Sequence, residues 1–174
     1  APPPPWPPRP NCANNISMSE QTKEGPEHMQ ETAGITPAGE GIGGVVWNIL
    51  GQTYKPRQLS ANSFAFDTLF PPGTFVPPHI HTTQDEYIHI LEGNFEFLLD
   101  GQVAHGGPGD LIRLPMGLPH GIFNKSSAPV RALFWVAPSR KLYELFSRIH
   151  NLTDPEQVVR ISAECEVDFL PPPA

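Results

Sequence analysis

Residues 73–93 read GTFVPPHIHTTQDEYIHILEG. Within them His79 and His81 stand two apart and Glu86 follows five residues later, bracketed by Gly73 and Gly93. Side chains two apart in a strand point to the same face, so His79 and His81 aim their imidazoles at one point while Ile80 turns away. Glu86 returns a carboxylate on the following segment. Two imidazoles and a carboxylate meeting at one point suit a first-row divalent metal. His120, later in the chain, is a fourth candidate. His89 follows Glu86 by three residues, and strand alternation sends it to the opposite face.

The sequence on both sides keeps the same texture. VVWNIL, SFAFDTLF, TFVPPHIH, EYIHIL, NFEFLLD, DLIRL, HGIFN and VRALFWVA are short runs rich in β-branched and aromatic residues. Turn residues separate them, at Pro71-Pro72-Gly73, Glu92-Gly93-Asn94, Asp100-Gly101, Gly106-Gly107-Pro108-Gly109 and Pro115-Met116-Gly117. Strands of this length with Gly/Pro turns predict an antiparallel sandwich or barrel. In EYIHIL and VRALFWVA both alternation phases are largely apolar, which predicts cover on both faces: a second sheet inside, a partner subunit or the tail outside.

After Pro138 the period changes. Leu142, Leu145, Phe146 and Ile149 fall on one helical stripe, with Ser139 placed to cap it. LTDPEQVVRISAECEV predicts a second helix, capped by Thr153 or Asp154 with Pro155 in its first turn, and the chain then runs out extended as DFLPPPA. Residues 1–40 read as a flexible tail, polyproline at first and polar afterwards, whose last part packs on a neighbour. The expected layout is therefore a tail over 1–40, a β-barrel over 41–138 and a helical extension over 139–174 packing on the barrel.

With 174 residues the chain is long enough for one domain with a real core, and a net charge of −7 without a basic stripe excludes nucleic acid as a natural partner. No apolar run approaches the roughly 20 residues that span a membrane. Cys12 and Cys165 are expected to be unpaired thiols of a reducing compartment. The opening APPPPWPPRP lacks the charged and apolar regions of a signal peptide, so the expected location is cytoplasmic.

Residues 109–124, GDLIRLPMGLPHGIFN, hold the second informative pattern. Gly73, His79, His81, Glu86 and Gly93 fill the first motif of the cupin superfamily, and Gly109, Pro115, Gly117, His120 and Asn124 fill its second, with no departure in either. The sequence resembles that family closely. The layout of residues 45–174 is further similar to single-domain cupins of the quercetin dioxygenase type. The resemblance implies an all-β fold, a jelly-roll barrel with C-terminal helices. It also implies a homodimer, and one divalent transition metal per subunit (iron, manganese, nickel, cobalt, copper or zinc) held by His79, His81, Glu86 and His120. Four protein ligands on an octahedral ion leave two open positions for chemistry. The four glycines of the motifs are expected at turns.

These observations set the functional expectation: a metal-dependent oxygenase acting on a small oxygenated aromatic or enol, with dioxygen as co-substrate. Glu86 serves as ligand and as catalytic base, being the one carboxylate in the set. The same set also suits a Lewis-acid isomerase, cyclase, decarboxylase or lyase, and a non-enzymatic binding protein is a third possibility. Phe75, Phe95, Phe97, Phe123 and Phe134 are the candidates for an apolar substrate pocket, among barrel-facing residues that include Leu99, Ile112 and Leu114. Asn124 is expected to orient the turn after His120. Arg113 and Arg131 are either surface charges or an anion clamp. His28 in the tail, His105 in a loop and His150 after the helix are not expected to ligate.

Overall fold

Apolar alternation builds two sheets. A computed structural model of the chain describes residues 29–30 and 32–171; the polyproline start, Cys12 and His28 lie outside them. The strands are β1 (Trp47–Ile49), β2 (Gln52–Leu59), β3 (Phe64–Phe70), β4 (Phe75–His81), β5 (Asp85–Glu92), β6 (Phe95–Leu99), β7 (Gln102–Gly106), β8 (Leu111–Leu114), β9 (His120–Phe123), β10 (Val130–Ala137) and β11 (Val167–Phe169). They pair antiparallel in a six-stranded sheet, β1-β2-β3-β10-β5-β8, and a five-stranded sheet, β11-β4-β9-β6-β7. From β3 onward the chain crosses repeatedly between the sheets, giving the expected jelly roll.

Every second residue faces inward. Phe64, Phe66 and Phe70 on β3, Ile88 and Ile90 on β5, and Val130, Phe134 and Val136 on β10 meet Phe95 and Phe97 of β6 in one buried core. The glycines of the two motifs, Gly73, Gly93, Gly109 and Gly117, all have positive φ. At Gly93 the demand is double, because a Cβ there would come within 2.9 Å of both the Pro129 carbonyl oxygen and Val130 Cγ2.

Three strands appear where the sequence patterns did not mark them. β2 buries Gln52, Tyr54 and Pro56 in strict alternation with Thr53, Lys55 and Arg57, but two charges and a proline mask its period. Pro56 is tolerated because the β2–β3 register shifts between Pro56 and Gln58. β7 carries His105, which is exposed as expected but stands on a strand and not in a loop. β11 follows the second helix and is described below. The last part of the expected tail packs on β2: Gln30 N donates to the Leu59 carbonyl at 2.9 Å, Thr36 Oγ1 donates to the Arg57 carbonyl at 2.8 Å, and the Arg57 guanidinium donates to the Pro37 and Glu40 carbonyls. This cover hides a sheet edge that would otherwise be open to pairing.

The helices are α1 (Leu142–Ile149) and α2 (Pro155–Glu164). α1 buries the predicted stripe of Leu142, Leu145, Phe146 and Ile149, together with Tyr143. Ser139 does not cap it: the N-cap position is Lys141, without a side-chain cap, and Ser139 Oγ donates to the Ala61 carbonyl at 3.1 Å, so the hydroxyl is spent anchoring the chain to the barrel. Asp154 does cap α2, accepting from Glu156 N at 3.0 Å, with Pro155 at the first helical position.

The two helices cover one end of the cavity, α1 through aromatic rings and α2 through Val158 and Ser162. Phe146 lies 4.9 Å from Phe66, 5.0 Å from Tyr54 and 5.7 Å from Trp47, centroid to centroid. After α2 the chain returns as β11 and pairs with β4, Val167 opposite His81 and Phe169 opposite His79. The extension therefore adds a strand to the sheet that carries both histidines. Among the described residues no helix is long and apolar enough to cross a membrane.

Candidate metal centre

β4 supplies His79 and His81, β9 in the same sheet supplies His120, and β5 in the facing sheet supplies Glu86. All four side chains point between the sheets, each no more than 4% exposed. Their candidate ligand atoms lie within 4.8 Å of one another. The imidazole centroids of His79 and His120 are 4.3 Å apart. Glu86 Oε2 lies 3.0 Å from His120 Nε2 and 3.7 Å from His81 Nε2.

Local structure orients each ring. The sequence Pro77-Pro78 breaks the β4–β9 register between Val76 and His79, because proline has no N–H to give the ladder. The resulting bulge leaves the Pro77 carbonyl free to accept from His79 Nδ1 at 2.8 Å. His120 Nδ1 likewise donates to the Leu118 carbonyl at 2.9 Å. His81 Nδ1 donates to Gln84 Oε1 at 3.1 Å. The sense of that last bond is fixed, since Gln84 Nε2 already donates to the Pro138 and Ser139 carbonyls at 2.9 and 2.6 Å. Each Nδ1 thus carries a proton, which leaves each Nε2 turned to the common point.

The charges agree with this arrangement. Burial, then the neighbouring His120 and His81, holds the His79 imidazole down to about 3, so it is neutral and able to ligate. Burial alone would raise Glu86, but His81, His120 and His79 outweigh it and bring the carboxyl down to about 2. Burial opposes a proton on His120, and the hydrogen bond and charge of Glu86 more than offset it, so His120 is raised. With Nδ1 committed to a carbonyl, His120 can bond Glu86 only by holding a second proton on Nε2. A divalent cation held by these four residues would take the place of that proton. The donor set, three oriented imidazoles and one carboxylate, fits a first-row transition metal.

Gln84 was not singled out from the sequence, although it lies within the first motif three residues after His81. It ties a ligand to the chain entering α1. Gln84→Leu is expected to weaken metal binding by about 10–100-fold, the usual cost of losing a partner that orients a ligand, as read by competition against a chromogenic chelator.

Residues 66–136 match the family description of the cupin domain. The barrel is similar to that family from β3 to β10. In fold it is similar to an RmlC-like cupin from Shewanella frigidimarina NCIMB 400, with a TM-score of 0.58 at 18% identity, covering 66% of this chain and 99% of that one. It is also similar to KdgF from Halomonas sp., with a TM-score of 0.51 at 24% identity, covering 54% and 86% of the two chains. Tetracenomycin polyketide synthase protein TcmJ from Streptomyces glaucescens is 27% identical over 67 residues, 38% of this chain and 45% of that protein. The chain therefore spans less than half the length of that curated relative.

Beside the four residues the barrel has a narrow apolar cavity. His81 and Glu86 stand in its wall with Phe66, Phe134, Phe146 and Val158. Of the five phenylalanines expected there, Phe134 lines it and Phe75 borders it. Phe75 is not a barrel-interior residue, however. It is 51% exposed and stacks on Phe123 with centroids 5.8 Å apart, because the Pro77-Pro78 bulge reverses the parity of β4 ahead of the histidines. Phe123 turns outward for the plainer reason that it is out of phase with His120 and Ile122 on β9. Phe95 and Phe97 are buried core, packed on each other at 5.7 Å, and do not line the cavity.

Of the remaining candidates, Asn124 bridges Phe70 and Ala128 by donating to both carbonyls at 2.9 Å, which holds the turn after β9. Arg131 pairs with Glu92 on the surface at 2.8 Å, and Arg113 is exposed. His89 lies on the opposite face of β5 from Glu86, and His150 accepts from Asn48 N through Nδ1 at 2.9 Å.

Proposed function

We propose that this protein is a metal-dependent enzyme acting on a small oxygenated aromatic or enol, and in its most specific form an oxygenase. The observation behind this reading is the buried set of three Nε2-presenting imidazoles and the Glu86 carboxylate, of which His81 and Glu86 stand in the wall of an apolar cavity. A divalent transition metal held by that set supplies a Lewis acid for a substrate oxygen and, when redox-active, a path for electrons to dioxygen. The apolar wall holds the substrate's ring and excludes water. Glu86, kept anionic by its histidine neighbours, takes the proton of a substrate hydroxyl or enolisable carbon. The resemblance of residues 45–174 to the quercetin dioxygenase type, read from the sequence alone, is what favours the oxygenase form.

The test is oxygen uptake by protein reconstituted separately with iron, manganese, nickel, cobalt, copper or zinc, across a panel of small phenols and enols. Uptake is expected with a redox-active metal and none with zinc, which has no redox chemistry. Turnover by the zinc form without oxygen consumption would establish the second reading, a Lewis-acid isomerase, cyclase, decarboxylase or lyase.

We infer a homodimer as well. On the outer face of the larger sheet Tyr87 stacks on Trp135 at 5.3 Å, with Leu69, Leu91 and Leu111 exposed around them. Sedimentation equilibrium at micromolar concentration is expected to return twice the chain mass, and a stable monomer would contradict the inference.

A further inference from the structure

Two buried polar side chains in the cavity wall take no part in the four-residue group. Gln52 and Tyr54 stand two apart on the inner face of β2 and line the cavity together with His81 and Glu86. Their hydrogen bonds can run in one direction only. A backbone carbonyl only accepts, so it is Gln52 Nε2 that lies 2.9 Å from the Phe75 oxygen. This turns Gln52 Oε1 towards Tyr54. An amide oxygen also only accepts, so the Tyr54 hydroxyl donates to it, at 2.6 Å. The phenol's single proton is committed, and its lone pairs are what it has left to offer. Burial, with the charge of Glu86 added to it, pushes the phenol well above its ordinary pKa, so the proton stays and the direction of the relay holds. A fixed acceptor in an apolar cavity favours a ligand that brings a donor and disfavours one that brings another acceptor.

We propose that the Tyr54 oxygen, aimed by Gln52, is the specificity-determining acceptor of this cavity. The ligand it selects is a small hydroxylated ring, with one oxygen at the His79–His81–Glu86–His120 group and a second O–H donating to Tyr54. The assignment rests on the metal-centre reading for the first contact. The size class follows from the space available. The cavity is small, about 70 Å³, roughly half the volume of an apolar cavity that holds one benzene ring, so a single ring is the upper limit of what enters it. Neither residue belongs to the two sequence motifs, and their role lies in choosing among substrates.

The experiment uses full-length protein loaded with cobalt(II), whose visible spectrum reports ligands reaching the metal, with calorimetry in parallel. The probes are resorcinol and hydroquinone against 3-methoxyphenol and 4-methoxyphenol. Each ether keeps one phenol oxygen and loses the second donor, and the two ring positions span different distances. At least one diol is expected to bind about tenfold more tightly than its ether, the scale of leaving a buried acceptor unpaired. Tyr54→Phe should bring that ratio to within about twofold. Gln52→Met should narrow it by a different route, tightening the ether, because Tyr54 is then free to donate. Equal affinities in the wild type, a ratio untouched by both variants, or no binding of any probe would overturn the assignment. If the cobalt spectrum stays still while calorimetry records the diol preference and its loss in Tyr54→Phe, the acceptor role stands and the metal-centre reading fails.

Discussion

His120→Ala is expected to strip the protein of bound divalent metal. Outer partners that merely orient a ligand are worth about 10–100-fold in affinity, so deleting the ligand itself should cost at least the upper end, about a hundredfold. Metal analysis after dialysis should then fall from near one equivalent per chain to a few per cent of that. The choice of His120 is deliberate. It comes from β9, whereas His79 and His81 share β4, so its removal leaves the Pro77-Pro78 bulge and both β4 rings in place. His89→Ala, on the opposite face of β5, is the matched control and should retain full occupancy. Equal metal content in His120→Ala and His89→Ala would sink the assignment of the centre. The variant also loses the 3.0 Å contact to Glu86, so the carboxylate remains buried with one charge-stabilising neighbour fewer.

Phe146→Ala should produce the largest loss of stability. Phe146 is 7% exposed and touches Trp47, Tyr54, Phe64 and Phe66, so it joins α1 to β1, β2 and β3 of the larger sheet. Truncating a buried phenylalanine costs about 3–5 kcal/mol. At about 2–4 °C per kcal/mol for a domain of this size, the melting temperature should fall by roughly 6–20 °C. Phe146 also lines the cavity, so the variant should bind wider ligands while holding its metal, because none of the four ligand residues rests on that ring. A melting temperature within about 2 °C of wild type would mean that the helices do not seal the barrel as described.

The grouping of the four residues was legible because it is written in spacing: His79 and His81 share a face by strand parity, and Glu86 and His120 complete motifs of fixed length. The second helix was legible for a similar reason, since Asp154 and Pro155 act locally. Features that depend on partners distant in sequence were not. Strand parity read straight through Pro77-Pro78 puts Phe75 in the barrel, but the bulge that orients His79 turns Phe75 out. Ser139 has the composition of a helix cap, and its hydroxyl is claimed by Ala61 across the fold. Tyr54 and Gln52 sit on a strand whose period is hidden by Lys55, Pro56 and Arg57. Gln84 stood in plain view within the first motif, but its role shows only once the carbonyls of Pro138 and Ser139 are seen to occupy its amide nitrogen.

The pairing of β11 with β4 sets an order of assembly. Thr82 and Glu166, which bond where the two strands meet, are 84 residues apart in the chain. Closing so long a loop has an entropic cost that must be met before the contact returns anything, so pairings of this kind form late. Until α1 and α2 dock, β4 is an open sheet edge with both of its histidines reachable from the side. In that order an ion held by the four residues would be captured before the seal forms, and the seal would slow its escape. A chain that stalls between the two steps presents a bare strand to its neighbours, the geometry from which intermolecular sheets grow.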